Sequence, residues 1–268
     1  MIICKEFDIR TLAAAVLALV VTVPSTAVAQ TDEIQVYDGG LAPKGVFNLT
    51  LHNNFTPAGL KDPAFAGSNT SDKSLNGVPE WAYGVTDWFE AGLYMPLYSV
   101  DKNLGAVVNG FKLRALFAVP NADDRKFFYG ANFEFSINTK HWDETRFTSE
   151  VRPIIGWHLH PVDIIINPIV DTSYDGLKNL EFVPAMRVAY NLSDTTAIAI
   201  EEYDDFGPLK GFLPVSEQAH QVYGVFDRTT KFADIEFGVG LGLTDGSDKF
   251  QLKLILSRDL NAPKKTKQ

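Results

Sequence analysis

The stretch Phe111-Lys112-Leu113-Arg114-Ala115-Leu116-Phe117 sets the reading of the whole chain. In an extended strand successive side chains point to opposite faces. Phe111, Leu113, Ala115 and Phe117 therefore share one face, and Lys112 and Arg114 occupy the other. An apolar stripe backed by cations suits a strand with lipid outside and a polar lumen inside. The same split separates Phe47, Leu49, Leu51 and Phe55 from Asn48, Thr50, His52 and Asn54, and Phe127, Tyr129, Phe133 and Phe135 from Asn132, Glu134 and Ser136. It returns in Phe250, Leu252, Leu254 and Leu256 against Gln251 and Lys253. A soluble sandwich alternates too, with its apolar face inward, so aromatic placement decides. Phe47/Phe55, Phe127/Phe135 and Phe182/Tyr190 lie eight residues apart on one face. At ~3.3 Å per residue and ~40° tilt this is roughly 20 Å along the membrane normal, the separation of two aromatic girdles. The pattern predicts an all-β fold, a transmembrane antiparallel up-and-down barrel.

Twelve strands are expected, near 45–55, 80–86, 88–99, 105–119, 126–138, 146–159, 161–171, 180–191, 194–204, 218–228, 231–241 and 248–260. The even number fits a single-chain bacterial barrel. Connections alternate in length, with tight turns at 86–87, 120–125, 160, 192–193 and 229–230 and longer loops at 56–79, 139–145, 172–179 and 205–217, the link at 100–104 being short for its class. With the amino terminus in the periplasm, the tight turns face the periplasm and the longer loops face outward. The 56–79 segment reads as a surface loop, with an inward constriction and an outer lid as its alternatives. Pro96, Pro153, Pro168 and Pro184 fall inside expected strands, where each removes a ladder hydrogen bond and marks a bulge or a strand end.

Ahead of the strands stands an export signal: Lys5 and Arg10, an apolar run over 11–23, then the small-x-small site Ala27-Val28-Ala29. About thirteen residues are too few for a spanning helix, which needs about 20, so residues 1–29 are expected to be cleaved. Removing 29 of 268 residues leaves 239, one barrel domain over 30–260 and a basic tail over 261–268 that holds Lys264, Lys265 and Lys267. The single cysteine, Cys4, lies in the signal, so the mature chain has no disulfide. Lys5 and Arg10 balance Glu6 and Asp8, which leaves the mature net charge at −9 and argues against nucleic acid as a partner. Outer-membrane lipids, lipopolysaccharide and the barrel-assembly machinery are the expected partners of such a chain.

The hairpin Trp81-Ala82-Tyr83-Gly84-Val85-Thr86-Asp87-Trp88-Phe89-Glu90-Ala91-Gly92-Leu93-Tyr94-Met95-Pro96 resembles one in the outer-membrane protein family grouped with the meta-cleavage phenol-degradation (MetA) pathway, and the turn at Tyr190-Asn191-Leu192-Ser193-Asp194 is similar to another of that family. The resemblance implies a barrel with a transport role and carries over no catalytic residues.

Phase places Glu90, Lys112, Arg114, Glu134, Glu150, Arg152, Asp163, Asp171, Glu181, Arg187, Glu236 and Lys253 in the lumen. Facing ladders of acids and bases make a transverse field that orients a polar or aromatic-acid solute; the plainer reading is a set of ion pairs that fill a narrow barrel. A passive channel or uptake route for small organic solutes, aromatic ones among them, is the expected function. A non-conducting structural or assembly barrel and a barrel lipid hydrolase are the alternatives, and the last needs a hydroxyl beside one of the five histidines. His158 and His160 share a strand face beside Asp163 but lack a further ligand at fixed spacing, so neither metal nor cofactor is expected. The run Glu201-Glu202-Tyr203-Asp204-Asp205 reads as the solvated entrance to an outer loop.

Overall fold

The computed structural model describes residues 33–261. The expected signal and the basic tail from residue 262 onward lie outside these residues. The first strands are β1 (Phe47–Ala58), β2 (Ser74–Gly84), β3 (Phe89–Asp101), β4 (Gly105–Ala118), β5 (Phe127–Asn138) and β6 (Phe147–His158). They are followed by β7 (Val162–Asn167), β8 (Val170–Thr172), β9 (Glu181–Phe182), β10 (Ala185–Ser193), β11 (Thr196–Asp205), β12 (Ala219–Thr229), β13 (Asp234–Gly242) and β14 (Phe250–Asp259). The pairs β7/β8 and β9/β10 are halves of two spanning strands, interrupted at Pro168 and Pro184. The sheet therefore closes as a twelve-stranded antiparallel barrel, sealed where β1 pairs with β14, Leu51 opposite Leu256.

Alternation sorts the side chains as their chemistry requires. On β1, Phe47 and Phe55 are exposed on the outer wall, while Thr50, His52, Asn54 and Thr56 are buried inside. The outer face carries Trp81, Leu113, Phe127, Tyr129, Phe133, Phe135, Tyr190 and Phe237. Asn53 is the polar exception on β1. Its side chain accepts a 2.8 Å hydrogen bond from the Tyr98 hydroxyl, whose ring lies over Gly77, where a Cβ would come within 2.6 Å of that hydroxyl. The aromatic ring covers the bare glycine backbone and satisfies the asparagine.

β2 begins at Ser74, six residues before the expected start at residue 80. Gly77 and Pro79 read as breakers in the sequence, yet both are accommodated: Tyr98 covers Gly77, and Pro79 sits at a register shift against β3, where Pro96 also falls. The first outer loop shortens to 59–73 and bends inward. Ser68, Asn69, Thr70 and Ser71 are buried, Asn69 N–H donates to the His141 carbonyl at 3.0 Å, and Asp248 accepts from Leu60 N–H at 2.9 Å.

Three of the strand prolines share one level of the wall. Val151 faces Val170 and Ile155 faces Ile166, which sets Pro153 against Pro168; Val170 faces Phe182 and Asn167 faces Ala185, which sets Pro168 against Pro184. None supplies a ladder N–H, so the wall is knitted thinly across neighbouring strands at this height. An apolar cluster containing Ile154, Ile165, Ile169 and Ala185 backs it from inside.

The lipid-facing assignment has a direct test. Phe133→Arg is expected to weaken insertion by ~2–4 kcal/mol if the residue lies near the bilayer midplane, read as a lower folding midpoint in urea titration into lipid vesicles. An unchanged midpoint contradicts the assignment.

Candidate functional site

The lumen is filled by charge in three knots and by the chain's own amino-terminal segment. All twelve candidate residues named from the sequence lie on the inner wall, with the acids and bases interleaved rather than segregated on opposite sides. In the first knot Arg114 contacts Glu80 at 2.5 Å and also pairs with Glu90, while His52 Nε2 lies 3.1 Å from the second oxygen of Glu80. In the second, Arg152 grips Glu150 through Nε at 2.6 Å and Nη2 at 2.9 Å, and Lys112 reaches Glu134 at 3.3 Å. In the third, Lys253 bonds Glu236 at 2.6 Å and Glu201 more closely, and Arg187 binds Glu201 and Asp227 and sits 3.5 Å from Glu236. Asp163 receives His158 Nδ1 at 2.7 Å and Asn191 Nδ2 at 2.6 Å. Asp171 faces Glu150 on one side and Glu181 on the other in the ladder, a row of carboxylates on the outer-loop half of the lumen.

Long side chains fit this narrow bore because glycine faces them across the ladder. Arg114 pairs with Gly92, Lys253 with Gly238 and Phe128 with Gly156. A Cβ at those glycines would lie 2.7, 2.7 and 2.0 Å from the opposing side chain, well inside contact distance.

The unexpected occupant is segment 33–46, which precedes β1 and runs from the tight-turn end up into the lumen. Gly45 N–H bonds the Gly84 carbonyl at 2.7 Å at the rim, and Ala42 N–H donates to Glu90 at 2.5 Å. Higher up, Tyr37 N–H donates to Asn167 Oδ1 at 2.7 Å while Asn167 Nδ2 donates to the Tyr37 carbonyl at 3.0 Å. Arg152 Nη1 donates to the Gln35 carbonyl at 2.9 Å, and Lys253 Nζ to that of Ile34 at 3.2 Å. Wall side chains, more than sheet pairing, hold this segment. Beside it a cavity of about 270 Å³ is lined by Val36, Asp38, Arg187, Asp227, Asp234 and Glu236, among others. From the opposite end Trp142 reaches in to pack with Val78, Tyr94 and Leu97.

Each well-placed imidazole already has a polar partner. His220 Nδ1 lies 2.6 Å from Asp204 and its Nε2 2.8 Å from Gln218. The Thr50 hydroxyl, two positions from His52 on the inner face, lies 2.9 Å from Asn48 Oδ1 and 2.8 Å from the Ser257 hydroxyl, hydrogen-bonded away from the imidazole. Among the described residues no group of three or more His, Cys, Asp or Glu side chains is arranged to hold a metal.

No protein-family model matches the chain, and no curated protein matches it. Its fold is similar to that of the COG4313 outer membrane channel from Pseudomonas putida F1, with a TM-score of 0.58 at 16% identity over 85% of this chain and 100% of that one. It is also similar to the NanC porin, with a TM-score of 0.52 at 8% identity over 80% and 99% of the two chains. At these identities the likeness is one of architecture.

The third knot makes a stability prediction. Lys253→Met leaves Glu201 and Glu236 short of a buried cation and is expected to cost about 3–5 kcal/mol in urea unfolding. Adding Glu236→Gln returns part of the loss. A single variant as stable as the parent contradicts the interdependence of these charges.

Proposed function

We propose that the chain is a passive channel of the Gram-negative outer membrane, admitting small organic solutes, aromatic ones among them, past a displaceable amino-terminal plug. The observation that carries this reading is the plug itself: segment 33–46 lies along the bore, held by side-chain contacts, with an open cavity at its flank. A purely structural barrel has no use for a removable filling. The apolar outer belt and the architectural likeness to an outer membrane channel and a porin support the location. Export by the amino-terminal signal, delivery by the barrel-assembly machinery and a setting of lipid and lipopolysaccharide belong to the same reading.

Planar-bilayer recording of the refolded barrel tests this. The parent is expected to show small, intermittent steps, and a chain with residues 33–43 replaced by glycine and serine larger, persistent ones. A folded barrel that stays silent in both forms favours the structural alternative. Asp234→Lys, at the lining of the flanking cavity, is expected to shift the selectivity of the open steps towards anions; unchanged selectivity places the path elsewhere.

Occupancy of the plug depends on pH through Glu33. Burial pushes its carboxyl up to about 7; Glu134 adds to the rise, and Arg152, His52 and Lys112 oppose it. A carboxyl whose docked value lies above its free one binds more protons when docked, so docking is firmest below the ordinary carboxylate range and weakens as pH climbs through 7. Openings are therefore expected to be more frequent at pH 8 than at pH 5, and Glu33→Gln to remove the difference. The opposite trend contradicts the placement of Glu33.

A further inference from the structure

We infer that the cavity beside the plug binds small organic cations, amines whose ammonium meets its carboxylates and whose carbon body lies against Val36 and Ile255. The inference rests on the channel reading and names a solute class for it. The cavity is lined by the carboxylates of Asp38, Asp227, Asp234 and Glu236, set against the guanidinium groups of Arg187 and Arg228. Asp38 belongs to the plug and the others to the wall, so the site is complete only while the plug is seated.

The pairing of the third knot leaves this cavity short of positive charge. Arg187 is shared by Glu201, Asp227 and Glu236, and Lys253 by Glu201 and Glu236. Three carboxylates thus depend on two cations. Asp227 stands directly opposite Glu236 in the ladder between β12 and β13, an arrangement that costs stability unless a cation offsets it. One oxygen of Asp227 takes Arg187, and the other has no hydrogen-bond partner. Nearer the rim, Asp38 and Asp234 make no ion pair among the described residues, while Arg228 donates to the Thr196 hydroxyl. An entering cation is drawn to these acids, and an entering anion meets four carboxylates with only Arg228 to set against them.

The lining also limits what the cation can be. Among the described residues no three His, Cys, Asp or Glu side chains are arranged to hold a metal, so the charges suit a diffuse ammonium rather than a bare ion. Val36 and Ile255 give the carbon body a buried apolar surface, and Gln35, Thr229 and Ser257 offer acceptors to its N–H groups. At about 270 Å³ the space falls just below the ~300–1,000 Å³ usual for ligand pockets, which restricts the guest to a compact molecule. An ammonium held near several carboxylates is favoured over an uncharged molecule of the same shape by about tenfold, once screening by water at the open mouth is discounted.

The test uses the full barrel in nanodiscs of zwitterionic lipid, with empty nanodiscs as the blank. ¹⁹F NMR follows three probes alike in shape: 4,4-difluorocyclohexylamine, the corresponding alcohol and the corresponding carboxylate. The pH is held at about 6, where the amine is protonated and the Glu33 carboxyl favours the docked plug. The parent is expected to bind the amine saturably, about tenfold tighter than the alcohol, and the carboxylate not at all. Asp38→Asn/Asp234→Asn neutralises two exposed positions outside the knot and is expected to lose most of that preference. Equal binding of amine and alcohol by the parent overturns the inference, as does the absence of saturable amine binding. A folded double variant that keeps the parent's preference overturns it too, and the comparison of probes on the parent stands whether or not the variant folds. A barrel that conducts without binding the amine refutes this site alone, whereas one that binds it and never conducts refutes the channel and leaves the site standing.

Discussion

Lys253 is wholly buried inside the barrel, and the inner wall is organised around the need to neutralise cations of this kind. A buried ammonium or guanidinium is tolerated only with close counter-charges and complete hydrogen bonding. Lys253 obtains these from Glu201 on β11, Glu236 on β13 and the Ile34 carbonyl of the plug. Arg152 repeats the arrangement with Glu150 and the Gln35 carbonyl. Strand register, the glycines facing Arg114 and Lys253 and the path of the amino-terminal segment follow from it. A slip by one residue would turn each charge into lipid.

The plug is therefore part of the polar interior without being part of the sheet. Its carbonyls complete the coordination of wall cations, while Val36 and Tyr37 complete the apolar cluster behind the level where Pro153, Pro168 and Pro184 align. These contacts are few and made largely by side chains, so the segment has less to lose on leaving than any strand, whose backbone is bonded on both sides. Local openings of low cost are the usual property of such elements.

The barrel was legible because alternation is local: Phe111 to Phe117 show their two faces without any knowledge of partners. Tight turns were legible for the same reason, and of the prolines Pro168 and Pro184 end strands and Pro96 falls at a register shift, whereas Pro153 lies within β6 in unbroken register with β5. What escaped was non-local. The start of β2 at Ser74 depends on Tyr98, on the next strand, covering Gly77. The plug depends on Asn167, which is 130 residues from Tyr37. Its own residues, Ile34, Val36 and Tyr37 followed by Gly39-Gly40, read as a short lead into the first strand. The one local hint is that three large apolar side chains stand ahead of β1 where a water-facing terminus has no use for them. The inner position of the charges could be read from phase, but the pairing of the third knot could not, because Lys253 meets Glu201 across 52 residues of sequence.

Hydrogen exchange on the folded barrel in lipid, resolved to single amides, tests most directly whether the segment leaves while the wall stays. A displaceable plug gives amides 34–37 a common exchange rate that is slower than in the outer loops, faster than in β13 and β14, and independent of mild denaturant. Amides in the segment that exchange only with the strands, through unfolding of the whole barrel, would make it a fixed part of the wall and contradict the account.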